Sequence, residues 1–124
     1  MFENTAAFSG FSVDDIDAAK QFYAETLGIR VSELATGLLT LHIAGGRDII
    51  VYAKPNHEPA TYTILNFPVD DIDQAVDELS ARGVEFLRYD GFSQDDKGIA
   101  RGDEGPPIAW FTDPAGNILA VLEE

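Results

Sequence analysis

The rhythm of apolar and polar positions switches between a two-residue period and a three-to-four-residue period along this 124-residue chain. Residues 6–13 form a strand-like run. Ile16, Ala19, Tyr23 and Leu27 then recur at helical spacing, as one apolar stripe that lies on a sheet. The helix should end at Gly28, a residue suited to the left-handed position just past a helix. Three short strands follow, at 29–35, 37–43 and 48–53, turned at Thr36-Gly37 and Gly45-Gly46. Residues 54–60, with two prolines, read as a linker. The scheme then starts again. A strand is expected at 61–69 and a helix with Ile72, Ala75, Val76 and Leu79 on one face, ending at Gly83. Strands are expected at 84–89, 107–112 and 117–122. The segment Thr112-Asp113-Pro114-Ala115-Gly116-Asn117 should turn the last two strands into a hairpin, since Pro sets one φ and Gly-Asn tolerates positive φ.

This recurrence is a repeat in the residues themselves. Val13-Asp14-Asp15-Ile16-Asp17 returns unchanged as Val69-Asp70-Asp71-Ile72-Asp73, 56 positions later, with a phenylalanine two residues before each valine. Capping explains both aspartate pairs, because a carboxylate at a helix start accepts orphan N–H groups and complements the dipole. The fold class is therefore α+β, two tandem βαβββ repeats whose curved mixed sheets surround a cavity. One domain over 1–124 is expected, with repeat one at 1–54, a linker at 55–60 and repeat two at 61–124.

Charge changes the picture of partners. Twenty-two acidic and 8 basic residues leave a formal charge of −14. Such a surface repels nucleic acid and anionic membranes and favours a cationic ligand, or it is simply a solvated acidic surface. No apolar run suits a membrane span, and no export signal opens the chain, so a cytoplasmic location is the expectation. With no cysteine and only His42 and His57, thiolate sites, disulfides and three-imidazole metal sites are excluded within one chain.

Val13-Asp14-Asp15-Ile16-Asp17, Phe22-Tyr23, Leu27-Gly28-Ile29, Phe67-Pro68-Val69-Asp70-Asp71 and Asp113-Pro114-Ala115-Gly116-Asn117 together resemble the glyoxalase / bleomycin-resistance / extradiol-dioxygenase superfamily, with its vicinal-oxygen-chelate fold. The resemblance covers nearly the whole chain. In metal-dependent members it implies a ligand five residues before each valine, which here gives Phe8 and Ile64. It implies a glutamate four residues after the turn glycine, which here is Ala120. A fourth ligand would come from Ile49, Ile50, Val51 or Tyr52. None of these is a usual metal ligand, and Phe8, Ile64 and Ala120 offer no donor at all. The expectation is no metal at the family's site and no cofactor. The glyoxalase, epimerase and dioxygenase activities that use such a metal are put in doubt, and the metal-free antibiotic-sequestering members fit better. The resemblance also implies a homodimer.

Candidate ligand-binding residues are Phe8, Tyr52, Ile64, Asn66, Tyr89, Phe92, Trp110 and Ala120. Tyr89 and Trp110 flank a long polar, glycine-rich stretch at 90–106, where Phe92 and Ile99 could tuck over the cavity mouth as a lid; a disordered flap is the alternative. Asn66 either orients a ligand or marks a bulge or edge. His42 reads as a hydrogen-bonded strand histidine or a proton donor, and His57 as a solvated linker residue. No nucleophile-elbow, phosphate-loop or dinucleotide motif is present. The leading reading is a metal-free protein that sequesters a small organic ligand, cationic or aromatic. The alternatives are a lyase, isomerase or dioxygenase-type enzyme with a displaced metal or an acid/base site built from His42, Asp48 and Tyr52, and an assembly module whose cavity has filled.

Overall fold

A computed structural model describes residues 1–102 and 105–124; Asp103 and Glu104, inside the expected lid, lie outside the described residues. The chain divides into two compact units, Met1–His57 and Glu58–Glu124, with the boundary inside the expected linker.

In the first unit, β1 (Gly10–Val13), α1 (Ile16–Gln21), β2 (Arg30–Ala35), β3 (Leu38–His42) and β4 (Ile49–Ala53) form a four-stranded sheet in the order β1-β4-β3-β2. β1 runs parallel to β4 and the other pairs are antiparallel, so the sheet is mixed. Val13, Leu39, Leu41 and Val51 are buried together with Ala19 and Tyr23 of the helical segment. Each large apolar side chain so buried is worth about 1.5–3 kcal/mol relative to exposure. Past Gln21 the helix widens into a π-helical turn, Phe22–Thr26, in which Leu27 N–H bonds Phe22 O at 3.0 Å. The helical stripe does not foretell this turn. Its physical consequence is that one extra residue fits before Gly28 (φ 70°) reverses the chain.

The second unit holds β5 (Thr63–Val69), α2 (Ile72–Ala81), β6 (Ile108–Thr112) and β7 (Ile118–Glu123), with sheet order β5-β7-β6. β5 is parallel to β7, and β6 is antiparallel to it. α2 packs on β7. The expected strand at 84–89 shrinks to one bridge, Phe86 to Phe111, plus a bond from Leu87 N–H to Trp110 O at 2.8 Å. The chain beyond it is taken up by side-chain bonds: Gln94 accepts from Tyr89 N–H and donates to Leu87 O and Gly98 O, which satisfies these backbone groups without a ladder.

The two units repeat one another in detail. Asp15 caps α1 by accepting from Ala18 N–H at 3.1 Å, and Asp71 caps α2 by accepting from Gln74 N–H at 3.1 Å. The cap dihedrals are −129°, 104° and −135°, 102°. Lys54 N–H bonds Val13 O, and Glu124 N–H bonds Val69 O, so each parallel pair closes at the same repeat position. α2 ends in a Schellman motif, with Val84 N–H on Leu79 O, Gly83 N–H on Ser80 O, and Gly83 at φ 92°. Among the described residues no helix is long and apolar enough to cross a membrane.

Candidate functional site

The register of the second sheet decides which residues share a face. Trp110 on β6 and Asn66 on β5 both stand opposite Ala120 on β7, and Ile108 and Pro68 both stand opposite Leu122. Side chains on directly opposed residues point the same way. One row, Asn66–Ala120–Trp110, therefore crosses three strands, and a second row, Pro68–Leu122–Ile108, lies beside it. Ala109, Phe111, Leu119 and Val121 take the opposite face and are buried. Three of the residues expected at the site, Asn66, Trp110 and Ala120, are thus brought together.

Trp110 anchors an aromatic cluster. Its ring centroid lies 5.2 Å from that of Tyr89, edge-on, and 5.1 Å from that of Phe92, tilted; Tyr89 and Phe92 are 6.2 Å apart. These are the separations at which aromatic pairs attract beyond simple burial. The cluster borders a hollow of about 680 Å³, lined by Phe92, Trp110, Ile108, Leu122, Ala100 and Pro106 with Ser93 and three glycines around them. That size falls within the range of small-molecule sites. No charged side chain lines it among the described residues. Phe92 is 58% exposed, so much of its ring faces solvent despite the contacts with Tyr89 and Trp110.

The segment after Phe92 is built and tied down. Asp95 Oδ1 accepts from Lys97 N–H and Ile99 N–H, both at 2.9 Å, and its Oδ2 accepts from Arg101 Nε at 3.3 Å. Arg101 also reaches Asp73 of α2 at 2.8 Å, and Lys97 reaches Asp77 at 3.0 Å. Ala100 exchanges two backbone bonds with Ile108, adding an edge to β6. The Arg101 guanidinium beside Asp73 holds that carboxyl below its ordinary range, with Lys97 adding to the effect. For Asp95, burial works to raise the value, but the Ile99 N–H, Arg101 and the Lys97 N–H outweigh it and the net shift is downward. Ile99, expected at the cavity mouth, is instead fully buried in the core. The Asp95 turn points it inward, so of the two residues assigned to a lid only Phe92 reaches the hollow.

The remaining candidates fall elsewhere. Ile64 sits at a bulge: Thr63 opposes Ile118 and Leu65 opposes Leu119, leaving Ile64 as the extra residue on β5 and breaking the alternation that placed it beside Asn66. Asn66 itself is exposed on an edge strand. Phe8 precedes β1, which starts at Gly10 rather than residue 6, and is 73% exposed. It borders a separate hollow of about 440 Å³ within the first unit. Tyr52 lies on β4, exposed, opposite Ser12. His57 is not the solvated residue its linker position suggested. Its Nδ1 is hydrogen-bonded to Ser12 Oγ at 2.6 Å, and its Nε2 is buried with no hydrogen-bond partner among the described residues. The linker folds back along the end of β1, with His57 N–H on Lys54 O, and carries the ring with it. His42 is a hydrogen-bonded strand histidine.

The donor set does not fit the metal that the resemblance implies. Phe8, Ile64 and Ala120 have no lone pair to offer, and among the described residues no group of three His, Asp or Glu side chains converges on one point.

The model of the glyoxalase/bleomycin resistance protein/dioxygenase superfamily matches residues 6–121. The chain belongs to this superfamily. Its fold agrees with solved members. A superfamily member from Sphaerobacter thermophilus DSM 20745 is 26% identical, with a TM-score of 0.72 over 95% of this chain and 96% of that one. TnmS3, an antibiotic binding protein from Streptomyces sp. CB03234, is 23% identical, with a TM-score of 0.67 over 94% of each chain. Lactoylglutathione lyase from Agrobacterium tumefaciens is 20% identical, with a TM-score of 0.68 over 96% and 93%. Among curated proteins no sequence match was found. An antibiotic binding protein and a lyase thus share this fold, and fold alone does not decide between such roles.

Proposed function

We propose that this superfamily member binds a planar aromatic small molecule in the hollow beside Trp110 and sequesters it without a metal ion. The observation that carries the reading is the Tyr89–Phe92–Trp110 cluster bordering a hollow that no charged side chain lines among the described residues. A flat ring sliding against Phe92 and Trp110 would cover apolar surface now facing water, gaining about 25 cal/mol per Å². A positive charge on that ring would be drawn by the overall charge of −14 and held over the indole face. Asn66, in the row with Trp110, supplies an amide for orientation. The likeness to an antibiotic binding protein supports a binding role. The missing donors at Phe8, Ile64 and Ala120 weigh against the metal-dependent chemistry of other members. The site needs no catalytic group for this task.

Trp110 is the single tryptophan, so its fluorescence reports on the site alone. Titration with proflavine, bleomycin and a tetracycline, each in excess EDTA, should quench or shift the emission for at least one compound and raise the melting temperature in step. Failure of all three to change either signal would overturn the reading.

A further inference from the structure

We propose that the first unit carries a second, separate site: an acyl-transfer centre with Ser32 as nucleophile. Ser32 Oγ lies 2.7 Å from His42 Nε2. The other nitrogen of the same ring, Nδ1, lies 3.4 Å from Asp48 Oδ2. The imidazole is therefore shared between a hydroxyl and a carboxylate, the division of roles that a general base needs. With its proton on Nδ1, facing Asp48, the ring accepts the Ser32 hydroxyl proton at Nε2. The 3.4 Å separation is long for a hydrogen bond and suits a resting site that tightens on loading.

The sheet builds this arrangement. In the β2–β3 ladder Ser32 opposes Thr40 and Arg30 opposes His42, so Ser32 and His42 stand diagonally on one face. Asp48 returns to them just before β4, after the turn at Gly45 and Gly46. Thr40 adds an independent observation. It is 5% exposed, and its hydroxyl has no hydrogen-bond partner among the described residues. Buried polar atoms without a partner are rare in folded proteins. Thr40, Arg47 and Asp48 line the hollow of about 440 Å³ together with Ala7, Phe8 and Ile50. A hydroxyl donor directly opposite the nucleophile in the ladder, on the wall of this hollow, is placed to stabilise a developing oxyanion.

The substrate class is a small carboxylic ester with a short apolar acyl group, which Ala7, Phe8 and Ile50 would accept. Ser32 Oγ adds to the carbonyl carbon while its proton passes to His42 Nε2, and the carbonyl electron pair moves onto the oxygen beside Thr40. Collapse breaks the ester C–O bond, and the departing alcohol takes the proton from His42. Water then adds to the acyl-serine, giving its proton to His42, and Ser32 leaves reprotonated. Ester and water become acid and alcohol, with no oxidant or reductant.

The test uses the full chain, a fluorophosphonate probe read by intact mass and peptide mapping, and p-nitrophenyl acetate hydrolysis. One adduct on Ser32 is expected, absent in Ser32→Ala. His42→Ala should slow both labelling and hydrolysis by at least about 100-fold, and Thr40→Val should slow hydrolysis while leaving the melting temperature near that of the parent. Asp48→Asn, on a half-exposed side chain, is a further variant that should fold and react more slowly. Glu78→Gln, at an exposed position on α2, should leave labelling unchanged. The proposal is overturned by no adduct on Ser32, by an adduct that persists in Ser32→Ala, or by labelling as fast in folded His42→Ala as in the parent.

Discussion

The position of Trp110 depends on a turn, and removing the side chain that builds it should show how much. Asp113 is 3% exposed and Asn117 2%. Asp113 Oδ1 accepts from Ala115 N–H and Asn117 N–H, and Oδ2 accepts from Asn117 Nδ2, all at 2.9 Å. Asp113→Ala removes the acceptor of two buried Asn117 donors, at about 1–3 kcal/mol each. Ala115 N–H is only partly buried and recovers water. Relief from holding a carboxylate in the interior returns part of the loss. The net cost comes to about 3 kcal/mol, a large share of the 5–15 kcal/mol typical of a domain. For a chain of this length that is a fall of roughly 10 °C in melting temperature, read by circular dichroism and checked by urea unfolding. Asp113→Asn keeps an acceptor for the two backbone groups but sets its amide nitrogen against Asn117 Nδ2, so it should lose about half as much. A loss below about 1 kcal/mol for the alanine variant would refute the view that this network fixes the hairpin. The consequence reaches the site, because a one-residue slip between β6 and β7 would turn Trp110 to the opposite face.

The two helix caps have the same geometry, so Asp15→Ala and Asp71→Ala should each cost about 1 kcal/mol in urea unfolding; a difference above that between them would contradict the structural repeat at this position. Asp73 and Asp95 have folded values held down by Arg101 and by backbone N–H groups, whereas the unfolded chain protonates near the ordinary aspartate value of about 3.9. Their contribution is therefore full above about pH 4 and is lost as pH falls through the depressed folded values. Carboxyl NMR titration should place both midpoints below the ordinary value, and a midpoint at or above it for either would remove the basis for this acid sensitivity. Elemental analysis after incubation with Ni²⁺, Zn²⁺, Mn²⁺ or Fe²⁺ should find less than about a tenth of an equivalent bound; tight, near-stoichiometric metal would mean that donors other than Phe8, Ile64 and Ala120 form a site.

Features that depend on nearby residues were legible in the sequence. The caps at Asp15 and Asp71, the left-handed Gly28 and Gly83, and the 113–117 turn each follow from local chemistry, and with them the two-repeat mixed-sheet fold. The π-helical turn was not legible, because one inserted residue leaves the apolar stripe intact. Nor was the burial of Ile99, which depends on Asp95 and Gln94 bonding the backbone across a loop that has no periodic pattern. The row Asn66–Ala120–Trp110 needs the register of a parallel pair, and alternation within one strand cannot supply that. The bulge at Ile64 misled the alternation outright. Ser12 and His57 meet across 45 positions, and Ser32 meets His42 only through the β2–β3 register.

The most direct test of the binding account is a ¹⁵N–¹H spectrum followed while the strongest quencher of Trp110 is added, with and without excess EDTA. The account predicts that the Trp110 indole signal and the amides of Phe92, Ile108 and Leu122 shift together to saturation at one equivalent, that EDTA changes nothing, and that the compound is recovered intact. Shifts that leave Trp110 and Phe92 unmoved, or that vanish when metal is chelated, would contradict it.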